Sequence, residues 1–282
     1  MPNQGPVGFV RSLWRLLRGK PQVPPSLADN ELLRTLLRRR SVRSFTAQAI
    51  PDDVFAAILE AGRLAPSTVN LQTWSFAAFT PDLWAAAFGQ PLPFRGQRAV
   101  IVMGDTHRAR QVIQAFPDSP LVEYTVAVMN ASLAAMAMNI AAEALGVASV
   151  MLAETGRSGL LDAAYLKEAL ALPGGVTPLL TIVLGYARVV YQPMPPKLPL
   201  DQLCFEGRYR EADPAVMADW QAQMVAGYKA SHLRSSFDAQ LRVYQSKIGQ
   251  AEADLRQMVF GNEMATEIAS KEPSAGRRPT PT

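Results

Sequence analysis

The chain has 282 residues, 49% hydrophobic and 18% charged, which suits a globular protein with a sizeable core. Its formal net charge of +4 is uneven: residues 1–43 hold nine Arg or Lys against Asp29 and Glu31, a balance of +7, and the rest carries −3; a nucleic-acid role for the whole protein is not indicated. Cys204 is the only cysteine and His107 and His232 the only histidines, which excludes an intrachain disulfide, disfavours a Cys/His zinc site and points to a reducing, cytoplasmic setting.

In chain order, residues 7–19 ("VGFVRSLWRLLRG") place Phe9, Val10, Leu13, Trp14 and Leu17 on one helical face and Arg11, Arg15 and Arg18 on the other. Such a basic amphipathic helix either packs on the protein or a partner subunit, or makes peripheral contact with an anionic membrane surface. The three arginines also break up any signal-peptide core. "KPQVPPSLADN" reads as a Pro-rich linker.

A second helix is expected to start near Asp29 or Asn30, with Leu32, Leu33, Leu36 and Leu37 as its core face. A third opens at Pro51, with Asp52 and Asp53 complementing its positive end and Val54, Phe55, Ile58, Leu59 and Leu64 facing the core. Residues 74–80 and 98–104 read as strands. Residues 121–145 form a long Ala- and Met-rich helix, apolar nearly all round and so expected to be central and buried, with Gly146 at its C-terminal cap. No apolar run approaches the roughly 20 residues that span a bilayer. "VASVML", "GLLDAAYLKEALAL" and "TPLLTIVLGYA" continue as strand, helix and strand. Alternating strands and helices indicate an α/β or α+β layer fold.

After about Asp213 the character changes. Phe237, Leu241, Tyr244, Ile248, Ala251, Leu255 and Met258 form a heptad seam that should lie along another helix, of the same or a second subunit. The chain thus divides into a helix and linker (1–28), a core (29–207), a helical extension (208–270) and a tail of disordered character (271–282).

Four stretches could carry chemistry. In "RRRSVRSF", Arg39, Arg40 and Arg43 offer rigid forks for a phosphate and Ser41 a hydroxyl, although a solvated helix end explains the same charges. "APSTVNLQTW" carries Ser67, Asn70 and Gln72, which suit either a turn or the donor-and-acceptor edge of a heterocycle. "MLAETGRSG" is a Gly-containing loop after a strand, able to approach a flat ring closely or simply to connect two elements. In "PPKLP", Lys197 is the one charge in a rigid run. There is no GxxxxGK[ST], no helix-opening GxGxxG, no GxSxG and no HExxH, which disfavours P-loop, Rossmann, α/β-hydrolase and zincin chemistry.

Taken in this order, "RRRSVRSF", "APSTVNLQTWSF", the long small-residue helix and "LPGGVTPLLTIVLGYA" resemble the FMN-dependent nitroreductase family, over roughly residues 30–207. The resemblance implies an α+β three-layer sandwich with a mainly antiparallel central sheet flanked by helices. It implies an intertwined homodimer with FMN at the subunit interface. Arg39, Arg40, Ser41 and Arg43 would hold the phosphate and ribityl oxygens, with Lys197 at a phosphate-binding position. Pro66, Ser67, Thr68 and Asn70 would be offered to the flavin by the other subunit. Ala153, Glu154, Thr155 and Gly156 would face the ring near N5. No protein residue is assigned as catalytic, because flavin N5 carries the chemistry, and no metal is called for.

The implied activity is oxidation of NADH or NADPH and reduction of a nitroaromatic, quinone or related small acceptor by a ping-pong mechanism. Alternatives are a flavin-dependent dehydrogenase, dehalogenase or flavin-remodelling enzyme on the same scaffold, or a non-enzymatic dimeric interaction protein. Thr73 stands where the family commonly has Pro, and Asn130 and Asn139 are candidates for a partner of the flavin pyrimidine edge. Residues 82–97 fall where substrate-gating segments vary.

Overall fold

The computed structural model describes residues 6–18, 21, 23–153, 159–189, 194–232 and 234–271. The elements in chain order are α1 (Pro6–Arg18), α2 (Glu31–Arg38), α3 (Asp52–Arg63), β1 (Trp74–Phe79), α4 (Pro81–Phe88), β2 (Arg98–Asp105), α5 (His107–Arg110), α6 (Pro120–Ala144), β3 (Ala148–Leu152), α7 (Ala163–Ala169), β4 (Val176–Gly185), α8 (Pro214–Ser231) and α9 (Phe237–Lys271).

The strands form one sheet in the order β1-β2-β4-β3. Every neighbouring pair is antiparallel, with Ala77 opposite Ile101, Ile101 opposite Thr181 and Val150 opposite Val183. This settles the open choice of layer fold as α+β. Between Val102 and Met103 the register with β4 slips, across from Pro178. Proline has no N–H to give the ladder, so a bulge is the natural accommodation.

The side-chain alternation of the strands builds two cores. Val100, Val102, Ile182 and Leu184 face α3 and α6, packing on Phe55, Ile58, Ala134 and Met138. Ala99, Ile101, Met103 and Val183 face the opposite layer, where Trp84 and Phe88 of α4 meet Leu166 of α7. The result is the three-layer sandwich, helix on sheet on helix.

Local signals explain the boundaries. Asn30 caps α2 by accepting from Leu33 N at 2.9 Å. Pro51 precedes α3, whose first turn holds Asp52 and Asp53. The α6 helix ends in a Schellman motif: Val147 N donates to Ala142 O at 2.8 Å and Gly146 N to Glu143 O at 3.1 Å, with Gly146 at φ +74.

Some sequence expectations need correction. The α2 helix buries no residue; Leu32 is 62% exposed and Leu36 is also exposed. Leu64 is exposed at the end of α3. The α6 helix is not covered all round: Ala131, Ala134, Ala135 and Met138 are buried, whereas Leu121, Val122, Met129, Leu133 and Met136 are exposed. Periodicity identifies an apolar face but not its cover. By length and composition α6 would also cross a membrane, contrary to the expectation from uninterrupted runs. Here it is a core helix, half buried, with Asn130 and Asn139 turned to partners inside the fold.

The N-terminal helix packs on the C-terminal extension, and that extension packs on the core. The α1 helix lies against α8, with Lys229 Nζ 5.3 Å from the Phe9 ring centroid. Ser12 is buried, while Val10 and Trp14 are 63% and 53% exposed. The side chains of Arg15, Leu17 and Arg18 lie outside the described residues. The heptad seam is one continuous helix, α9, lying against α6, α7 and α8 of its own chain. Ala251 of the seam is buried, whereas Leu241, Tyr244 and Ile248 are exposed. Cys204 is exposed between β4 and α8. Residues 272–282, which include most of the tail, lie outside the described residues.

Candidate functional site

The Arg-rich segment leaves the end of α2 as extended chain along the sheet. Ser41 forms a parallel bridge with Ser149 of β3, and Val42 N donates to Ser149 O at 2.9 Å. Further on, Phe45 bridges Ala187 and Arg188 Nη2 donates to Phe45 O at 3.2 Å. Phe45 packs so closely on Gly185 that an added Cβ there would stand 2.8 Å from its ring. The backbone that presents the arginines is therefore pinned at both ends.

Residues Arg39, Arg40, Ser41, Arg43 and Lys197 line one cavity of about 590 Å³, a volume suited to a small-molecule ligand. Arg40 has a second task. Its Nη1 donates to Leu37 O and Arg39 O, both at 2.8 Å, closing the C-terminal end of α2. Its buried Nε has no hydrogen-bond partner among the described residues. Burial raises the pKa of Glu143 on α6, and the charges of Arg39 and Arg40 pull it back down. The donor set fits a phosphate: several cations converge on one cavity, and one buried N–H among them remains unused.

The Lys197 segment is placed by the C-terminal extension, since Trp220 Nε1 of α8 donates to Pro196 O at 3.4 Å. The same cavity is lined by Met224, Tyr228, His232 and Phe237. Sequence reasoning missed these residues and set the extension apart from the cofactor core. The one available signal was Phe237 opening the heptad seam.

The second predicted segment is a strained turn. Val69, Asn70 and Gln72 have φ of 42, 58 and 49, a left-handed region costly for residues other than Gly and least so for Asn. Asn130 of α6 holds it in place. Its Oδ1 accepts from Thr68 N at 3.1 Å and Thr68 Oγ1 at 3.2 Å, and its Nδ2 donates to Thr73 Oγ1 at 2.8 Å. Ser67 Oγ accepts from Gln72 N at 3.1 Å. Thr73, the departure from the family pattern, is fully buried and supplies a hydroxyl that proline lacks. Asn130 is thus engaged within the fold at both ends of its amide.

Pro66, Ser67, Thr68 and Asn70 do not line the arginine cavity, and Val69 stands 85% exposed. Asn139 is buried, its Nδ2 donating to Ser149 Oγ at 2.6 Å, while its Oδ1 has no partner among the described residues. In the third segment, Ala153 O accepts from Leu161 N at 3.1 Å, and a Cβ on Gly159 would lie 2.6 Å from Ala153 Cα. Ala153 and Gly159 are thus held close together. Glu154, Thr155 and Gly156 lie outside the described residues.

Comparison with known proteins bears on the same residues. The family described as "Nitroreductase family" matches residues 36–186, more than half of the chain. A protein of Archaeoglobus fulgidus provisionally named an NADH dehydrogenase/NAD(P)H nitroreductase is 30% identical over 164 residues, covering 56% of this chain and 86% of the relative. An NADPH-flavin oxidoreductase of Vibrio harveyi is 26% identical over 207 residues, covering 71% and 83%. The solved structure of nitroreductase A from Vibrio parahaemolyticus shares the fold, with a TM-score of 0.63 at 23% identity over 79% of this chain and 92% of its own. The matched region runs from the end of α2, through the Arg-rich segment and the Asn130-anchored turn, to the last residues after β4, and this chain belongs to the nitroreductase family.

Proposed function

We propose that the chain is an FMN-dependent oxidoreductase that takes electrons from NADH or NADPH and passes them to a nitroaromatic, a quinone or a related small acceptor, working as a homodimer in the cytoplasm. The observation that carries this reading is the gathering of Arg39, Arg40, Ser41, Arg43 and Lys197 around one cavity. The name of the Vibrio harveyi relative, an NADPH-flavin oxidoreductase, supports the cofactor and the donor.

When bound, FMN supplies the redox chemistry at N5, so no acid or nucleophile is asked of the protein. The chain's own residues bind and orient. Arg39, Arg43 and Lys197 would neutralise the phosphate, the Ser41 hydroxyl would donate to it, and Arg40 would add its charge while keeping the end of α2 closed. The turn at Pro66, Ser67, Thr68 and Asn70 serves the cofactor held mainly by the other subunit; its exposed Val69 and its absence from the lining of its own chain's cavity support that assignment. Ala153, with Glu154, Thr155 and Gly156, is assigned to the ring. The exposed Met129, Leu133 and Met136 of α6, with Leu32 and Leu36 of α2, supply apolar surface for the second copy to cover. Donor and acceptor would bind in turn beside the cofactor these residues hold, a ping-pong scheme.

Purified protein is expected to be yellow, to hold one FMN per chain and to bleach on stopped-flow mixing with NADH or NADPH, with colour returning on addition of a quinone or nitroaromatic. A colourless protein that takes up no added FMN overturns the reading; FMN that is bound but not reduced by either nucleotide points to a dehydrogenase or dehalogenase on the same scaffold. Replacing Arg39 and Arg43 together by Ala should weaken FMN binding about a hundredfold, the worth of two charge-assisted contacts. A narrower reading concerns α1, where Val10 and Trp14 stay exposed beside Arg11: contact with an anionic membrane surface. It requires vesicle binding that depends on residues 1–20 and falls with salt.

A further inference from the structure

The cavity has two chemically different walls. One is cationic: Arg39, Arg40, Arg43 and Lys197. The other is aromatic, formed by the end of α8 and the start of α9: Tyr228, His232 and Phe237. The aromatic wall is built rather than incidental. Tyr228 and His232 stack with ring centroids 4.2 Å apart and planes 11° from parallel, and Phe237 meets Tyr228 edge-on at 6.0 Å. The Tyr228 hydroxyl lies 3.4 Å from both Ser235 Oγ and Gln240 Oε1. His232 Nδ1 is 3.2 Å from Tyr228 O. The rings are thus fixed by contacts among themselves and with α9.

We propose that this aromatic wall is the part of the protein that retains the phosphate end of the bound flavin nucleotide, so that the C-terminal extension sets how long the cofactor stays. The inference rests on the phosphate reading of the arginine cluster. Guanidinium–phosphate contacts open to water are weak and screened by salt, and the same contacts facing a low-dielectric wall are stronger and screened less. Flat rings lining the same cavity as the arginines would exclude water from the phosphate without competing for its oxygens. A cofactor held this way is resident and hands its electrons to acceptors at the enzyme. Without the wall it would exchange with free flavin.

The test measures FMN and riboflavin binding by quenching of flavin fluorescence, with the FMN release rate, in the full chain and in Tyr228→Ala, His232→Ala and Phe237→Ala. Because riboflavin lacks the phosphate, the wall should be felt by FMN alone. Tyr228→Ala and Phe237→Ala should each weaken FMN binding about tenfold, chiefly through faster release, make FMN affinity fall more steeply with salt, and leave riboflavin affinity unchanged. His232→Ala, at an exposed position, should act in the same direction with the fold undisturbed. FMN affinity, release rate and salt slope all unchanged in the three variants overturn the inference, as does an equal loss of riboflavin and FMN binding. The phosphate reading fails separately, if wild-type protein binds FMN no better than riboflavin or if Arg39→Ala with Arg43→Ala leaves FMN affinity intact.

Discussion

Asn130 and Asn139 both lie buried on α6; Asn130 holds the turn at residues 67–73 directly, whereas Asn139 bonds Ser149, the β3 residue that bridges Ser41. Asn130 uses both ends of its amide: one donation to Thr73 and two acceptances from Thr68. The turn it holds is strained, with three residues at positive φ. Asn139 uses only the nitrogen end of its amide, donating to Ser149, and its Oδ1 has no partner among the described residues. The segment it supports indirectly is relaxed extended chain, already held by a backbone bridge between Ser41 and Ser149. Strain needs a dedicated clamp, whereas an extended segment is held by the sheet itself. The amides look alike in sequence, but their contributions to stability should differ.

Substitution at the clamp should have the largest effect. Asn130→Leu leaves the Thr68 N–H and the Thr73 hydroxyl unpaired, and urea denaturation should show a loss of about 3 kcal/mol. Thr73→Val keeps the shape and removes one partner of Asn130; the expected loss is about 2 kcal/mol, from stranding a buried Nδ2. Asn139→Leu gives up one bond but also deletes an unpaired acceptor, so it should cost about 1 kcal/mol or less. Equal losses at Asn130 and Asn139 would break the comparison.

The smallest effect concerns Glu143, one turn beyond Asn139. Burial raises its folded pKa above the ordinary 4.5, against the pull of Arg39 and Arg40. Below that ordinary value the carboxyl is protonated in both states. As pH rises, the unfolded chain loses the proton first, so stability falls until the folded carboxyl also ionises. Glu143→Gln should flatten that fall in pH-dependent denaturation and leave the protein slightly more stable at neutral pH.

Much of the layered fold is legible in the sequence because periodicity and caps are local. Asn30, Asp52, Asp53 and Gly146 mark their helix ends as the structure has them. The strands read as near-continuous apolar runs because both faces of the sheet are covered. What could not be read is which apolar faces stay uncovered, as at Leu32, Leu36, Met129 and Leu133, since side-chain type does not reveal what lies opposite. The convergence of Lys197 with the arginines came from a family resemblance and not from spacing. Its structural cause, the Trp220 bond to Pro196, joins segments too far apart in the chain to leave a pattern. The aromatic wall escaped notice for the same reason, and Thr73 looked like a lost proline until its hydroxyl was seen on Asn130.

Cys204 is the chain's single cysteine, and it is exposed. It is therefore a labelling handle already in place: a maleimide probe or nitroxide reacts at one known position, with no thiol to remove first. In a symmetric pair of chains, each copy carries one such label, and dipolar spectroscopy reads a single inter-label distance. The geometry of the assembly can thus be measured on the unaltered protein, before and after flavin is added.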